Sequence, residues 1–91
     1  MARKSLKEIV QHYVDAQIYW YRFEKQFDPA VVEKYADAIG KLETELRQNG
    51  VNNEQIDQLI YYAKYFHSIK VTKLTDNLLR YIKQRVFPTA K

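Results

Sequence analysis

Apolar residues in this chain recur at the three-to-four spacing of an α-helix in successive segments, and no alternating pattern competes for any long stretch. That periodicity, cut by clear punctuation, predicts an all-α protein. The first helix is expected to begin at Ser5, because Ser5-Leu6-Lys7-Glu8 fits a capping box in which serine and glutamate satisfy each other's backbone amides. One apolar row then runs Ile9, Tyr13, Ala16, Trp20, Phe23 and Phe27, and a second runs Val10, Val14, Ile18 and Tyr21. Together they cover more than half of the helical wheel. Such a helix is central, packed on at least two sides or used in an interface.

Asp28-Pro29 ends this helix and starts another, since aspartate is a favoured N-cap and proline at the first helical position loses no hydrogen bond. The second helix carries a narrower stripe of Val31 or Val32, Tyr35, Ile39, Leu42 and Leu46, with Glu33, Lys34, Asp37, Lys41 and Glu45 opposite. Gly40 sits in its interior at a cost of about 1 kcal/mol against alanine, which a close helix approach would explain. Asn49-Gly50 predicts a left-handed stop. Asn52 or Asn53 caps a third helix with the stripe Ile56, Leu59, Ile60, Ala63 and Phe66. The period breaks at Ile69-Lys70-Val71, and Thr72 is expected to cap a last helix with Leu74, Leu78, Tyr81 or Ile82, and Val86 inward, ending at Phe87-Pro88. A single bent helix from Glu54 to Val86 is the alternative. Short connections then point to one domain spanning residues 1–91, an antiparallel bundle of four helices, or three if the last two are continuous.

Composition narrows what such a bundle does. The 91 residues are 46% hydrophobic and 29% charged, which argues against disorder. They contain no cysteine, which removes disulfide scaffolds and thiolate zinc sites. The longest apolar runs, such as Ile18-Tyr19-Trp20-Tyr21, are far short of the about 20 residues that cross a bilayer. Met1-Ala2-Arg3-Lys4 starts basic with no apolar stretch behind it, so a secretory signal is not expected and the cytoplasm is the expected location. Ser5 and Ser68 are the only serines, and no Gly-rich phosphate loop or nucleophile elbow accompanies them. The chain therefore reads as a non-enzyme with no cofactor.

Charge is unevenly placed. Residues 1–60 carry eight Lys/Arg against ten acids, whereas residues 61–91 carry seven against Asp76 alone. Such asymmetry can attract a polyanion or an acidic protein surface. Lys64, Lys70, Lys73, Arg80 and Lys83 are the candidate anion-binding residues, with Lys73, Arg80 and Lys83 expected on the polar face of the last helix. Beside them, tyrosine rings could stack on bases while the cations hold phosphates. A solvated basic face is the ordinary alternative, and no recognised nucleic-acid-binding motif is present.

Eight tyrosines and one tryptophan are the most unusual feature. Trp20, Tyr21 and Phe23 lie on the apolar arc of the first helix and are expected in the core, while Tyr19 lies outside it. The third helix is complete without its tyrosines. At about 100° per residue, Tyr61 and Tyr65 fall opposite its apolar stripe, with Tyr62, Gln58 and Ile69 along the edge. Tyr61, Tyr62, Tyr65, Ile69 and Tyr19 are thus the candidate partner-binding residues, because tyrosine supplies a large amphipathic area at low entropy cost. The competing expectation is that the last helix or the chain ends cover this face and leave the tyrosines half-buried.

Gln17 and Glu24 interrupt the apolar arc of the first helix. Buried, they would need partners, for which Tyr81 and Arg85 are candidates. Glu8, His12 and Asp15 share one polar face and could in principle approach a metal, although a salt-bridged surface is the ordinary reading. His67 is expected as a hydrogen-bonded core histidine.

The helix order, with an Ile69-Lys70-Val71-Thr72 connection before the last helix, resembles the pediocin-type bacteriocin immunity proteins. That resemblance implies a cytosolic, basic four-helix bundle; the longer C-terminal tail of that family is lacking, and no functional residue is carried across. The expected function is a small helical binding protein, a regulator, inhibitor or antitoxin- or immunity-like protein, acting on a protein partner or on itself as a homo-oligomer. A nucleic-acid or nucleotide binder using the basic C-terminal third is the alternative.

Overall fold

The computed structural model describes residues 5–26 and 28–88, and of Glu24 the backbone alone. Four helices and no strand occur among them: α1 (Leu6–Phe23), α2 (Pro29–Gln48), α3 (Asn53–Ser68) and α4 (Asp76–Val86), with a 3₁₀ turn at Glu24–Gln26 after α1. Phe27, expected at the end of the first apolar row, and the side chain of Glu24 lie outside the described residues.

The local signals act as chemistry requires. The Glu8 amide donates to Ser5 Oγ at 3.2 Å and the Ser5 amide donates to Glu8 Oε1 at 3.2 Å. Asp28 caps α2 by accepting from the Val31 amide at 3.0 Å, with Pro29 at the first helical position. Asn52, rather than Asn53, caps α3, completing a capping box with Gln55.

Helices α2 and α3 end alike. In α2 the Val51 amide reaches Leu46 O and the Gly50 amide reaches Arg47 O, and in α3 Val71 reaches Phe66 O and Lys70 reaches His67 O. Both are Schellman turns, which need a left-handed residue and favour an apolar contact across the turn. Gly50 takes that position at φ 87°, and Lys70 takes it at φ 66°. The chain therefore breaks at Lys70 without glycine, and the single long helix is excluded.

The start of α4 corrects the expected cap. Thr75, not Thr72, is the N-cap, accepting from the Leu78 amide. Leu74 just before it and Leu79 four residues after it are both buried in the core, the placement of a hydrophobic staple. The Leu74 amide donates to Asp15 Oδ1 at 2.6 Å, which ties the residue before the Thr75 cap to α1. The late start moves the inward stripe of α4 to Leu79, Ile82 and Val86, leaving Leu78 half-buried and Tyr81 exposed.

Successive helices run antiparallel. Tyr13 bonds Glu43 while Ala16 bonds Tyr35 across α1 and α2, and Gln55 bonds Val86 while Tyr62 meets Tyr81 across α3 and α4. Helix α1 is central, packing on both α2 and α3, as the width of its apolar arc required. Its buried residues are Ile9, Val10, Tyr13, Val14, Gln17 and Ile18, and the apolar ones join Leu46, Leu59, Phe66, Leu79 and Ile82 in one cluster. Fully burying side chains of this size contributes roughly 1.5–3 kcal/mol each. Gly40 is not a close approach, since a Cβ added there would meet nothing within 4 Å. None of the described helices is long and apolar enough to cross a membrane.

Candidate interaction surface on α3 and α4

Helix α3 divides its residues by face. Ile56, Leu59, Ala63 and Phe66 are buried, with Ile60 half-buried, and the outward face carries Tyr61 at 63% exposure and Tyr65 at 46%. Ile69, at the end of the helix, is 52% exposed. Helix α4 does not cover this face. It lies along one edge, where Tyr62 is half-buried and presents its ring edgewise to Tyr81 at 5.9 Å and 87°. Tyr62 also meets Tyr61 at 5.4 Å and 75°. Edge-to-face pairs at these separations are the geometry aromatic quadrupoles favour. The guanidinium of Arg85 lies 4.4 Å from the centre of the Tyr81 ring. Tyr61, Tyr62, Tyr81 and Arg85 thus form a chain of ring contacts across the α3–α4 seam. The membership of Tyr81 and Arg85 was missed from sequence; their i, i+4 spacing on α4 was the available signal.

Tyr19 belongs elsewhere. It sits at the α1–α2 end with Phe23 at 4.8 Å and Tyr35 at 5.6 Å. Trp20 stacks on Tyr35 at 5.8 Å and 9°, and the Tyr35 hydroxyl donates to Ala16 O. Burial, with Tyr19 and Asp15 nearby, pushes the Tyr35 hydroxyl pKa up.

The five candidate cations do not form one platform. Lys64 places its Nζ 5.7 Å over the Tyr21 ring. Lys70 lines a cleft of about 330 Å³ with Arg22 and His67, where the ends of α1 and α3 meet. Lys73 precedes α4 rather than sharing its polar face, and its charge acts on Asp15. Arg80 and Lys83 line a separate groove of about 300 Å³ with Lys7, a residue the sequence did not single out, against Asp76.

Gln17 finds a partner other than the two expected. Gln17 is buried and its Nε2 donates to the Tyr13 hydroxyl at 3.0 Å, which in turn donates to Glu43 Oε2 at 2.7 Å. Tyr81 and Arg85 pair with each other instead. Burial first, and the Glu43 carboxylate second, push the Tyr13 hydroxyl far above its ordinary pKa. Burial also raises the Asp15 carboxyl, opposed by the Leu74 amide and then Lys73. Glu8 is used in the α1 cap and Asp15 by Leu74, and no group of three or more His, Asp or Glu among the described residues could hold a metal ion. His67 is half-buried with its ring 6.4 Å from Tyr21, at the cleft rather than enclosed in the core.

The chain matches no protein-family model, no curated protein and no solved structure.

Proposed function

We propose that this chain is a cytoplasmic, non-enzymatic binding protein that recognises a macromolecular partner through the tyrosine face of α3 and its seam with α4. The observation that carries the reading is the exposure of Tyr61, Tyr65, Ile69 and Tyr81 together on two neighbouring helices of a chain that has already enclosed one core. Tyrosine and arginine are the residues in which interface energy concentrates, and contiguous exposed apolar area marks interaction sites. A regulatory or inhibitory role suits a small protein of this kind. The test is site-specific photocrosslinking in cells, with the reactive group at Tyr61 and a control at Asp37 on the outer side of α2. Discrete adducts from position 61 alone support the reading; equal adducts from both positions count against it.

The groove between Lys7, Arg80 and Lys83 favours a second reading, binding of a nucleic acid or nucleotide. Retention of a mixed-sequence oligonucleotide should then fall steeply as salt rises and be lost in Arg80→Glu with Lys83→Glu. Retention unchanged by those reversals excludes it.

A further inference from the structure

Resting on the reading of the α3 face as a recognition surface, the geometry points to its occupant: we infer that α3 pairs with α3 of a second copy of this chain, antiparallel, about a two-fold axis beside Tyr61. The outward face at about 100° per residue centres on Tyr61 and Tyr65, with Glu54 on the midline. Asp57 and Lys64 lie on one flank of that midline, both exposed, four residues before and three residues after Tyr61. Neither takes part in an ion pair among the described residues, where the one such pair is Arg47 with Glu43.

A two-fold axis perpendicular to two antiparallel helices maps each flank onto the same flank of the other copy, and a contact from i to j is repeated from j to i. With the axis beside Tyr61, Asp57 of each copy comes level with Lys64 of the other, twice. Parallel pairing sets this flank against the one holding Gln58 and Ile69, where α3 itself carries no charged residue. Glu54 and Asp57 also place negative charge on the face itself, which disfavours a polyanion as its occupant although the chain as a whole is basic. The tyrosines fill the centre of the interface and the charge pairs fix its direction, the division of labour usual in protein contacts.

The test is sedimentation of the full chain over a dilution series from micromolar to millimolar. A reversible dimer is expected, weakened about tenfold or more by Asp57→Lys or by Lys64→Asp, because each reversal turns two attractions into repulsions. Combining the two reversals restores the wild-type affinity, and Tyr61→Ala weakens the dimer without changing the circular dichroism. Independently of any variant, carbodiimide treatment of mixed isotopically light and heavy copies yields an Asp57–Lys64 crosslink joining one of each. A monomer at every concentration overturns the inference and leaves the tyrosine-face reading to the photocrosslinking experiment. A dimer indifferent to the charge reversals, or not restored by the swap, overturns the antiparallel pairing. A dimer indifferent to Tyr61→Ala overturns both.

Discussion

At the scale of single residues, the hydrogen bonds that Tyr13 and Asp15 make from α1 to its surroundings each carry a prediction. Tyr13→Phe leaves the buried Gln17 amide without its acceptor and removes a donor from Glu43, at a cost of about 1–3 kcal/mol in denaturant melts. Because the folded pKa of Tyr13 lies above the unfolded value of about 10, its neutral form is favoured. Its contribution is complete below about pH 10 and lost as the pH rises further, so Tyr13→Phe should flatten the alkaline arm of stability against pH. Asp15 offers a contrast. Asp15→Ala orphans the Leu74 amide and is expected to cost about 1–3 kcal/mol, while Asp15→Asn keeps the acceptor and stays near wild type at neutral pH. A carboxyl whose folded pKa is raised burdens the fold above that pKa and is relieved below it. Asp15→Asn should therefore lose the gain in stability that the wild type shows as the pH falls into the carboxylate range. That Gln17 would need a partner was readable from its place on an apolar arc. That the partner is Tyr13 one turn earlier, relayed to Glu43 on α2, depended on how the helices dock.

At the scale of elements, caps were legible and the last boundary was not. Ser5 with Glu8, Asp28 with Pro29, and Asn49 with Gly50 are short-range chemistry, complete within a few residues of chain. The turn at Lys70 has the same hydrogen bonds as that at Gly50 without the glycine that announces it. Lys70→Gly should stabilise the protein by about 0.5–1 kcal/mol by relieving a left-handed lysine, and Gly50→Ala should destabilise it by about 1 kcal/mol. Gly40→Ala, in an open helix interior, should add about 1 kcal/mol in the same chemical denaturation assay. Thr72 and Thr75 are equivalent caps to a local reading. Burial of Leu74, which the Thr75 cap places at the staple position against Leu79, selects the second.

At the scale of the whole molecule, α3 separates the residues that hold the fold from those available to a partner. Leu59→Ala, on the buried face, should cost about 2–5 kcal/mol by opening a cavity. Tyr61→Ala with Tyr65→Ala, on the opposite face of the same helix, should leave the Tm of dilute protein within a few degrees while weakening association. A large loss of Tm in the double variant would place these rings in the core instead. The outward direction of Tyr61 and Tyr65 followed from periodicity alone. The addition of Tyr81 and Arg85 to that surface, and the dispersal of the five cations among separate sites, followed from where α4 begins and how it lies against α3.

The amino-acid order by itself determined the all-α class, three of the four helix starts, the stop at Gly50 and the outward face of α3, because periodicity and capping act over a few residues. Tertiary structure decided the start of α4, the partners of Gln17 and Asp15, and the grouping of surface tyrosines and cations. Those outcomes depend on which backbone amides and rings meet across tens of residues, and such meetings exist only once the helices have packed.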